Sequence, residues 1–178
     1  MMATARKDQV RNRARIIDAA VAAFVDRGPE ASLDDIARLA GVGPATLYRH
    51  FAARDDLVEA ALDQMAAAAA AKCAPLATIG SPRDAFRRTI RSLCDLEDSA
   101  MSAFARLAAT SPRAERHARA IVAGIVGPVT LRLIDAGGLR PGVDVDEVVT
   151  FIHMVEGVSA SSDQRKLALE VILDGLIR

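Results

Sequence analysis

The sequence predicts an all-α protein of about nine helices, with an N-terminal three-helix helix-turn-helix domain followed by a larger helical domain. Three observations carry this expectation. Ala, Leu, Val and Arg dominate, while aromatic residues make up only 3% of the chain, a composition that favours helix over sheet. Apolar residues recur at helical spacing along most of the chain, each run bounded by a cap or a breaker. No segment alternates with period two for long enough to make a strand. At 178 residues and 51% apolar content, the chain has enough material for one ordinary domain or a small domain fused to a medium one.

Ile17, Ala20, Val21, Phe24 and Val25 form the first stripe, in a helix that stops at Gly28-Pro29. Ser32 caps a second, two-turn helix, with Asp35 placed to complete a capping box and Leu33, Ile36, Ala37 and Ala40 on its inner side. Gly41-Val42-Gly43 makes the turn. Pro44 then suits the first position of a third helix, Pro44 to Phe51, with Leu47 and Phe51 pointing inward. Two short helices across a three-residue turn, buttressed by a longer one, are the plan of a helix-turn-helix.

A long fourth helix follows from about Arg54 to Lys72, long enough to leave the first domain and enter a second body. Its alanine run, Ala66 to Ala71, reads as close helix packing rather than low complexity. Ser81-Pro82 starts a helix carrying Phe86, Ile90, Leu93 and Cys94. A shorter one carries Met101, Phe104, Leu107 and Ala108. Ser111-Pro112 caps a helix running to Ala136, in which Pro128 is expected to produce a kink or a break. The last two helices are expected from Val145 to about Val158 and from Asp163 to Ile177. The domain division is placed at 1–58 and 59–178.

Charge sets limits on function. Lys+Arg and Asp+Glu number 23 each, so any affinity for nucleic acid has to come from local placement. The first 17 residues supply such placement: Arg6, Lys7, Arg11, Arg13 and Arg15 face a single acid, Asp8, an arm suited to a phosphate backbone or a minor groove. The longest uncharged run, between Arg119 and Arg132, is 12 residues, shorter than a membrane span of roughly 20. The start of the chain lacks the apolar segment of a secretion signal, and Cys73 and Cys94 lack metal-ligand spacing and read as reduced thiols. The expectation is a soluble, cytoplasmic protein with no membrane contact, metal or cofactor. No phosphate loop, metal helix or nucleophile elbow is present, and three His at 50, 117 and 153 make no catalytic group, so an enzyme is not expected.

The third helix carries the chemistry. With Leu47 and Phe51 inward, Pro44, Ala45, Thr46, Tyr48, Arg49 and His50 face solvent or a partner. Thr, Tyr, His and Arg donors around a helix N-terminus suit phosphate oxygens. Arg49 can donate a bidentate pair to guanine, and Pro44 and Ala45 can touch a thymine methyl.

Residues 12 to 58 resemble the DNA-binding domain of TetR/AcrR-type transcriptional regulators. The resemblance runs from Arg15-Ile16-Ile17-Asp18-Ala19-Ala20 through Phe24 and Arg27-Gly28 to Ser32-Leu33-Asp34-Asp35-Ile36-Ala37. It continues through Ala40-Gly41-Val42, Thr46-Leu47-Tyr48-Arg49-His50-Phe51 and Arg54-Asp55-Asp56-Leu57. It implies that Thr46, Tyr48 and His50 contact phosphates, with Arg54 as the basic residue at the start of the fourth helix. It also implies that Pro44, Ala45 and Arg49 face base edges. With Ser32 these make the expected DNA-binding set. Such proteins often have Ser, Lys and Gly where this chain has Gly43, Pro44 and Ala45. Ala53 stands where a Ser or Thr cap is frequent, a difference of about 1 kcal/mol in the hold on the fourth helix.

The resemblance further implies a C-terminal half that binds a small effector and dimerises. The stretches Gly138 to Asp144 and Leu173 to Ile177 are similar to one common type of that half. Independently, Leu169, Ile172, Leu173 and Leu176 form one stripe in the last helix, widened by Leu167, Val171 and Ile177. The preceding helix shows Val145, Val148, Val149, Ile152 and Val155. Two helices this apolar suit a four-helix interface between copies, the alternative being that both close the monomer's core. Met65, Phe86, Met101, Phe104, Leu107, Ile121, Ile125, Phe151 and Met154 are expected to line an apolar effector cavity, with Arg106, His117 and His153 as candidate polar anchors. The expected function is a homodimeric repressor on a roughly palindromic double-stranded operator, released by an apolar or weakly polar effector through a pivot of the fourth helix. The alternative is a helical ligand-carrier or interaction module that binds no DNA.

Overall fold

The structure is a computed structural model that describes residues 2–94, 98–157 and 161–178, with side chains described from Asp8 to Cys94, from Ser102 to Val155, and at Ser161 and residues 163–178. Nine α-helices are present among the described residues. They are α1 (Met2–Arg27), α2 (Leu33–Leu39), α3 (Pro44–His50), α4 (Arg54–Cys73), α5 (Pro82–Cys94), α6 (Asp98–Ala108), α7 (Pro112–Asp135), α8 (Val145–Gly157) and α9 (Ser162–Leu176), with a 3-10 turn at Ala74–Thr78. The only β pairing among the described residues is an isolated bridge between Leu139 and Ile177, which ties the α7–α8 connection to the end of α9.

The caps fall where the sequence places them. Ser32 Oγ accepts from the Asp35 amide at 3.1 Å, and Ser111 Oγ accepts from the Ala114 amide at 3.1 Å. Ser161 and Gln164 close a reciprocal capping box at the start of α9. Two expectations are corrected. The basic N-terminal stretch is helical from Met2 rather than a separate arm, because nothing before Gly28 is Gly or Pro to interrupt it. Pro128 does not break α7, which is continuous from Pro112 to Asp135. The carbonyl that loses its donor belongs to Gly124, on the exposed side of the helix, where the lost bond leaves no buried group unpaired.

The helix-turn-helix core gathers Ile16, Ala20 and Phe24 of α1, Ile36 and Ala37 of α2, Leu47 of α3, Phe51, and Leu57 and Val58 of α4, all buried. In the second half α7 is central, packing against α4, α5, α6 and α8 through Ala114, Ala118, Val122, Val126, Val129 and Leu133. It is also the one described helix long and apolar enough to cross a membrane by length and composition. Its buried line lies inside the bundle. The two halves share one apolar core. The helix α4 belongs to both, burying Leu57 and Val58 in the first and Ala66, Ala69 and Cys73 in the second. The buried alanines let its neighbours approach closely.

The apolar stripe of α9 is mostly spent within the chain: Leu169, Leu173 and Leu176 are buried against the rest of the core. The outward apolar residues of that helix are Leu167 and Val171, at 66% and 64% exposure. On α8 the half-buried imidazole of His153 has its pKa pushed below the ordinary 6.5, first by burial and then by the nearby Arg119 charge, with Glu115 opposing. The folded chain therefore resists protonation there. Its stability should fall as pH drops through the ordinary imidazole value, because the unfolded chain takes up the proton first. Thermal melts of the wild type and His153→Gln between pH 7.5 and 5.5 test this, the variant being expected to lose part of the acid sensitivity.

Candidate nucleic-acid interface

Six residues separate the ordered end of α2 from the first outward donor of α3, and local chemistry fixes their path. Gly41, at φ +62°, ends α2, with the Val42 amide donating to the Ala37 carbonyl at 3.0 Å and the Gly41 amide to the Arg38 carbonyl at 3.1 Å. This is a Schellman closure, and it needs a residue free to take positive φ. Gly43 and Pro44 then start α3 in extended and helical geometry respectively. A helix of 7 residues is too short to persist alone in water, so tertiary burial has to hold it. Leu47 and Phe51, at 1% and 2% exposure, provide that burial. The Arg13 guanidinium of α1 lies over the Phe51 ring, 5.1 Å from its centroid.

With that side pinned, Pro44, Ala45, Tyr48 and Arg49 are exposed, and Thr46 and His50 half-buried. Tyr48 is 52% exposed, its hydroxyl open to a partner. Arg49 folds back along its own helix. Its Nε donates to the Ala45 carbonyl at 3.3 Å and its Nη2 to Thr46 Oγ1 at 3.2 Å, weak exposed contacts that a base or phosphate can replace. The helix N-terminus itself offers less than its position suggests: Pro44 has no amide, and the Thr46 amide already donates to the Gly43 carbonyl at 2.9 Å. The donor groups for a partner are therefore mainly side chains. Ser32 is exposed but uses its oxygen as the cap of α2, keeping only its hydroxyl proton for a partner.

Arg54 lies elsewhere than on an open phosphate-facing edge. Its guanidinium sits over the Phe24 ring, 5.7 Å from the centroid, and donates to the Pro29 carbonyl in a part-buried bond. The sequence signal missed here is the Gly28-Pro29 loop itself, whose carbonyls need donors that no helix supplies. Around the interface, Arg11, Arg13 and Arg15 of α1 are exposed, and Arg15 Nη2 reaches the Gly41 carbonyl at 3.5 Å, bringing positive charge to the α2–α3 turn.

The nine expected effector-lining residues differ in burial. Phe86, Phe104 and Leu107 are buried in the core, Met65, Ile121, Ile125 and Phe151 are half-buried, Met154 is 58% exposed, and the Met101 side chain lies outside the described residues. A cavity of about 10 Å³ is present between α5, α8 and α9, and of the nine only Phe86 and Phe151 line it, beside Ile90, Ile152, Leu169 and Leu173. That is room for about one water, not for an effector. Periodicity tells which side of a helix is apolar, not whether the facing sides leave a gap. Of the three expected polar anchors, His117 Nε2 is 2.9 Å from Asp63 Oδ1, His153 is half-buried on α8, and Arg106 is exposed at the end of α6. Burial also raises the Cys73 thiol, whose Sγ donates to the Thr89 carbonyl at 3.7 Å. Among the described residues no group of His, Cys, Asp and Glu is placed to hold a metal.

Comparison with known proteins points the same way. Residues 16–61 match the model of "Bacterial regulatory proteins, tetR family". Over 89 residues the chain is 38% identical to the HTH-type transcriptional repressor LfrR of Mycolicibacterium smegmatis, covering 48% of this chain and 46% of that protein. Over 66 residues it is 41% identical to the HTH-type transcriptional regulator TtgR of Pseudomonas putida, covering 36% of this chain and 31% of the relative. The matched stretch thus spans less than half the length of these relatives. Among solved structures, the TetR transcriptional regulator SCO0520 from Streptomyces coelicolor is 27% identical, with a TM-score of 0.54 over 93% of this chain and 98% of that one. A putative TetR-family regulator from a Rhodococcus species shares the fold at 22% identity, with a TM-score of 0.72 over 95% of this chain and 100% of the other.

The placement of Arg54 makes a measurable claim. Arg54→Gln removes the ring contact and the Pro29 bond, and should cost about 1 kcal/mol of stability by chemical denaturation without any DNA present. Unchanged stability would mean that this guanidinium is free to serve a partner.

Proposed function

We propose that this chain, whose residues 16–61 match the model of the tetR family of bacterial regulatory proteins, is a homodimeric repressor of transcription, released from a palindromic operator by a small effector. The observation that carries the proposal is the two-sidedness of α3. Leu47 and Phe51 are buried while Tyr48 and Arg49 stand exposed on a helix preceded by a tight turn. In this reading α3 enters the major groove. Tyr48, Thr46 and His50 hold phosphates, Arg49 leaves its own helix for a guanine edge, and Pro44 and Ala45 meet a thymine methyl. Exposed Arg11, Arg13 and Arg15 of α1 add attraction to the backbone.

The effector reading follows the family rather than any open space in the chain. In this reading the small cavity between α5, α8 and α9 belongs to the effector-free form, and the helices around it part to admit a ligand. LfrR is named a repressor, and the solved RolR structure holds resorcinol. The first supports the repressor role and the second a small, weakly polar ligand. Dimerisation is supported by Leu167 and Val171 of α9, the outward apolar residues left once its other stripe is buried.

A DNA fragment selected by the protein from a random pool provides the test. Tyr48→Phe should weaken binding to every sequence by about 1–3 kcal/mol, whereas Arg49→Ala should cost a similar amount at one base pair and relax preference there. Light scattering should give twice the 18.8 kDa chain mass, and Leu167→Glu with Val171→Glu should return it to one chain. Failure to retain any fragment at low salt would overturn the reading.

A further inference from the structure

The two halves meet in an ionic cluster at the first three turns of α4. Four carboxylates, Asp55, Asp56, Glu59 and Asp63, face the start of α7, where Ser111 is the cap and Arg113 and His117 follow one turn apart. Arg113 forms a fork on Glu59, with Nε 2.8 Å from Oε1 and Nη2 2.7 Å from Oε2, and Nη2 also reaches Asp56 Oδ1 at 2.9 Å. Ser111 Oγ donates to Asp55 Oδ1 at 3.3 Å, and His117 Nε2 lies 2.9 Å from Asp63 Oδ1.

Asp56 serves twice. Its other oxygen accepts the Ala53 amide at 3.0 Å, the half of the capping box that survives where Ala53 has no side-chain oxygen to offer. The Ala53 amide and then Arg113 hold this carboxyl below its ordinary value. Carboxylates three and four residues apart on one helix repel one another, and the guanidinium that faces two of them, Arg113, comes from α7, in the other half of the molecule. An isolated exposed pair of this kind contributes little. A fork shared by two carboxylates, one of them the sole side-chain cap of its helix, is a different case. The start of α4 is three residues from the end of α3, with the buried Phe51 between them, so a turn of α4 cannot shift without moving α3.

We propose that Arg113 is a positioning residue for DNA recognition: reaching from the effector half, it completes the N-terminal cap of α4 and so sets the angle at which α3 is presented. The proposal rests on the DNA-binding reading above and names a residue that touches no DNA. It also gives the two halves a contact through which rearrangement of α7 reaches α3.

The full-length protein tests it in two arms. In the first, amide hydrogen exchange is compared between wild type and Arg113→Gln. Exchange over residues 54–59 is expected to quicken by about tenfold, the size of one lost charge-assisted bond, with α8 and α9 unchanged. In the second, affinity for the selected fragment is expected to fall by about tenfold with the salt slope unchanged, since no phosphate contact is lost. Arg113→Lys, which keeps the charge but not the fork, should fall between the two. Unchanged exchange at 54–59, or a rise spread evenly over all helices, would overturn the proposal, as would a salt slope reduced by about one. Should Arg113→Gln not fold, Glu59→Gln loosens the same fork from the other side and is read identically. If the wild type retains no DNA, the functional reading fails, while the exchange arm still decides whether Arg113 holds α4.

Discussion

A helix of 7 residues has no stability of its own, and α3 exists because Leu47 and Phe51 are buried beneath it. That burial decides the rest of the surface. Once two positions four apart are committed inward, helical geometry turns Tyr48, Arg49 and the proline–alanine start outward. Gly41 makes the approach possible by accepting positive φ, and Pro44 starts the helix without a wasted amide. The set of side chains at this edge is thus a consequence of how a short helix is held, and it can be altered from beneath as readily as from above.

The second constraint is that α4 belongs to both halves. Its first turn packs Leu57 and Val58 with the helix-turn-helix, and its later turns pack Ala66, Ala69 and Cys73 with α5 and α7. A boundary after residue 58 therefore cuts a continuous helix and a continuous core. Gln64 of α4 also donates to Asp18 of α1 at 2.7 Å, so α4 is tied to α1 beyond its first turns. Any rearrangement of α7 is carried along this helix, not around it.

Much of this was legible in the sequence because it depends on local rules. Serine caps at Ser32 and Ser111 and proline starts at Pro44 and Pro112 place the starts of α2, α3 and α7, and the expected ends of α4, α7, α8 and α9 fall within a residue of the observed ones. What was not legible depends on relations between elements. The resemblance assigns Arg54 to the start of the fourth helix without its neighbours, the Pro29 carbonyl it satisfies and the Phe24 ring face it covers. Pro128 looked like a break because the rule concerns an isolated helix, whereas a continuous core line and an exposed Gly124 let α7 pass through it. Of the nine apolar residues expected around an effector, Phe86, Phe104 and Leu107 are buried while Met65, Ile121, Ile125 and Phe151 are half-buried, a division that periodicity does not carry. The stripe of α9 showed the same ambiguity: Leu169 and Leu173 close the monomer, and only Leu167 and Val171 remain outside.

The most direct measurement of the central claim is a map of backbone amide shifts by nuclear magnetic resonance as a selected duplex is titrated in. The account requires the changes to concentrate on Pro44-following residues of α3, the α2–α3 turn and the exposed arginines of α1, with Leu47 and Phe51 keeping their buried environment. Changes confined to α7, α8 and α9, with α3 untouched, would contradict it.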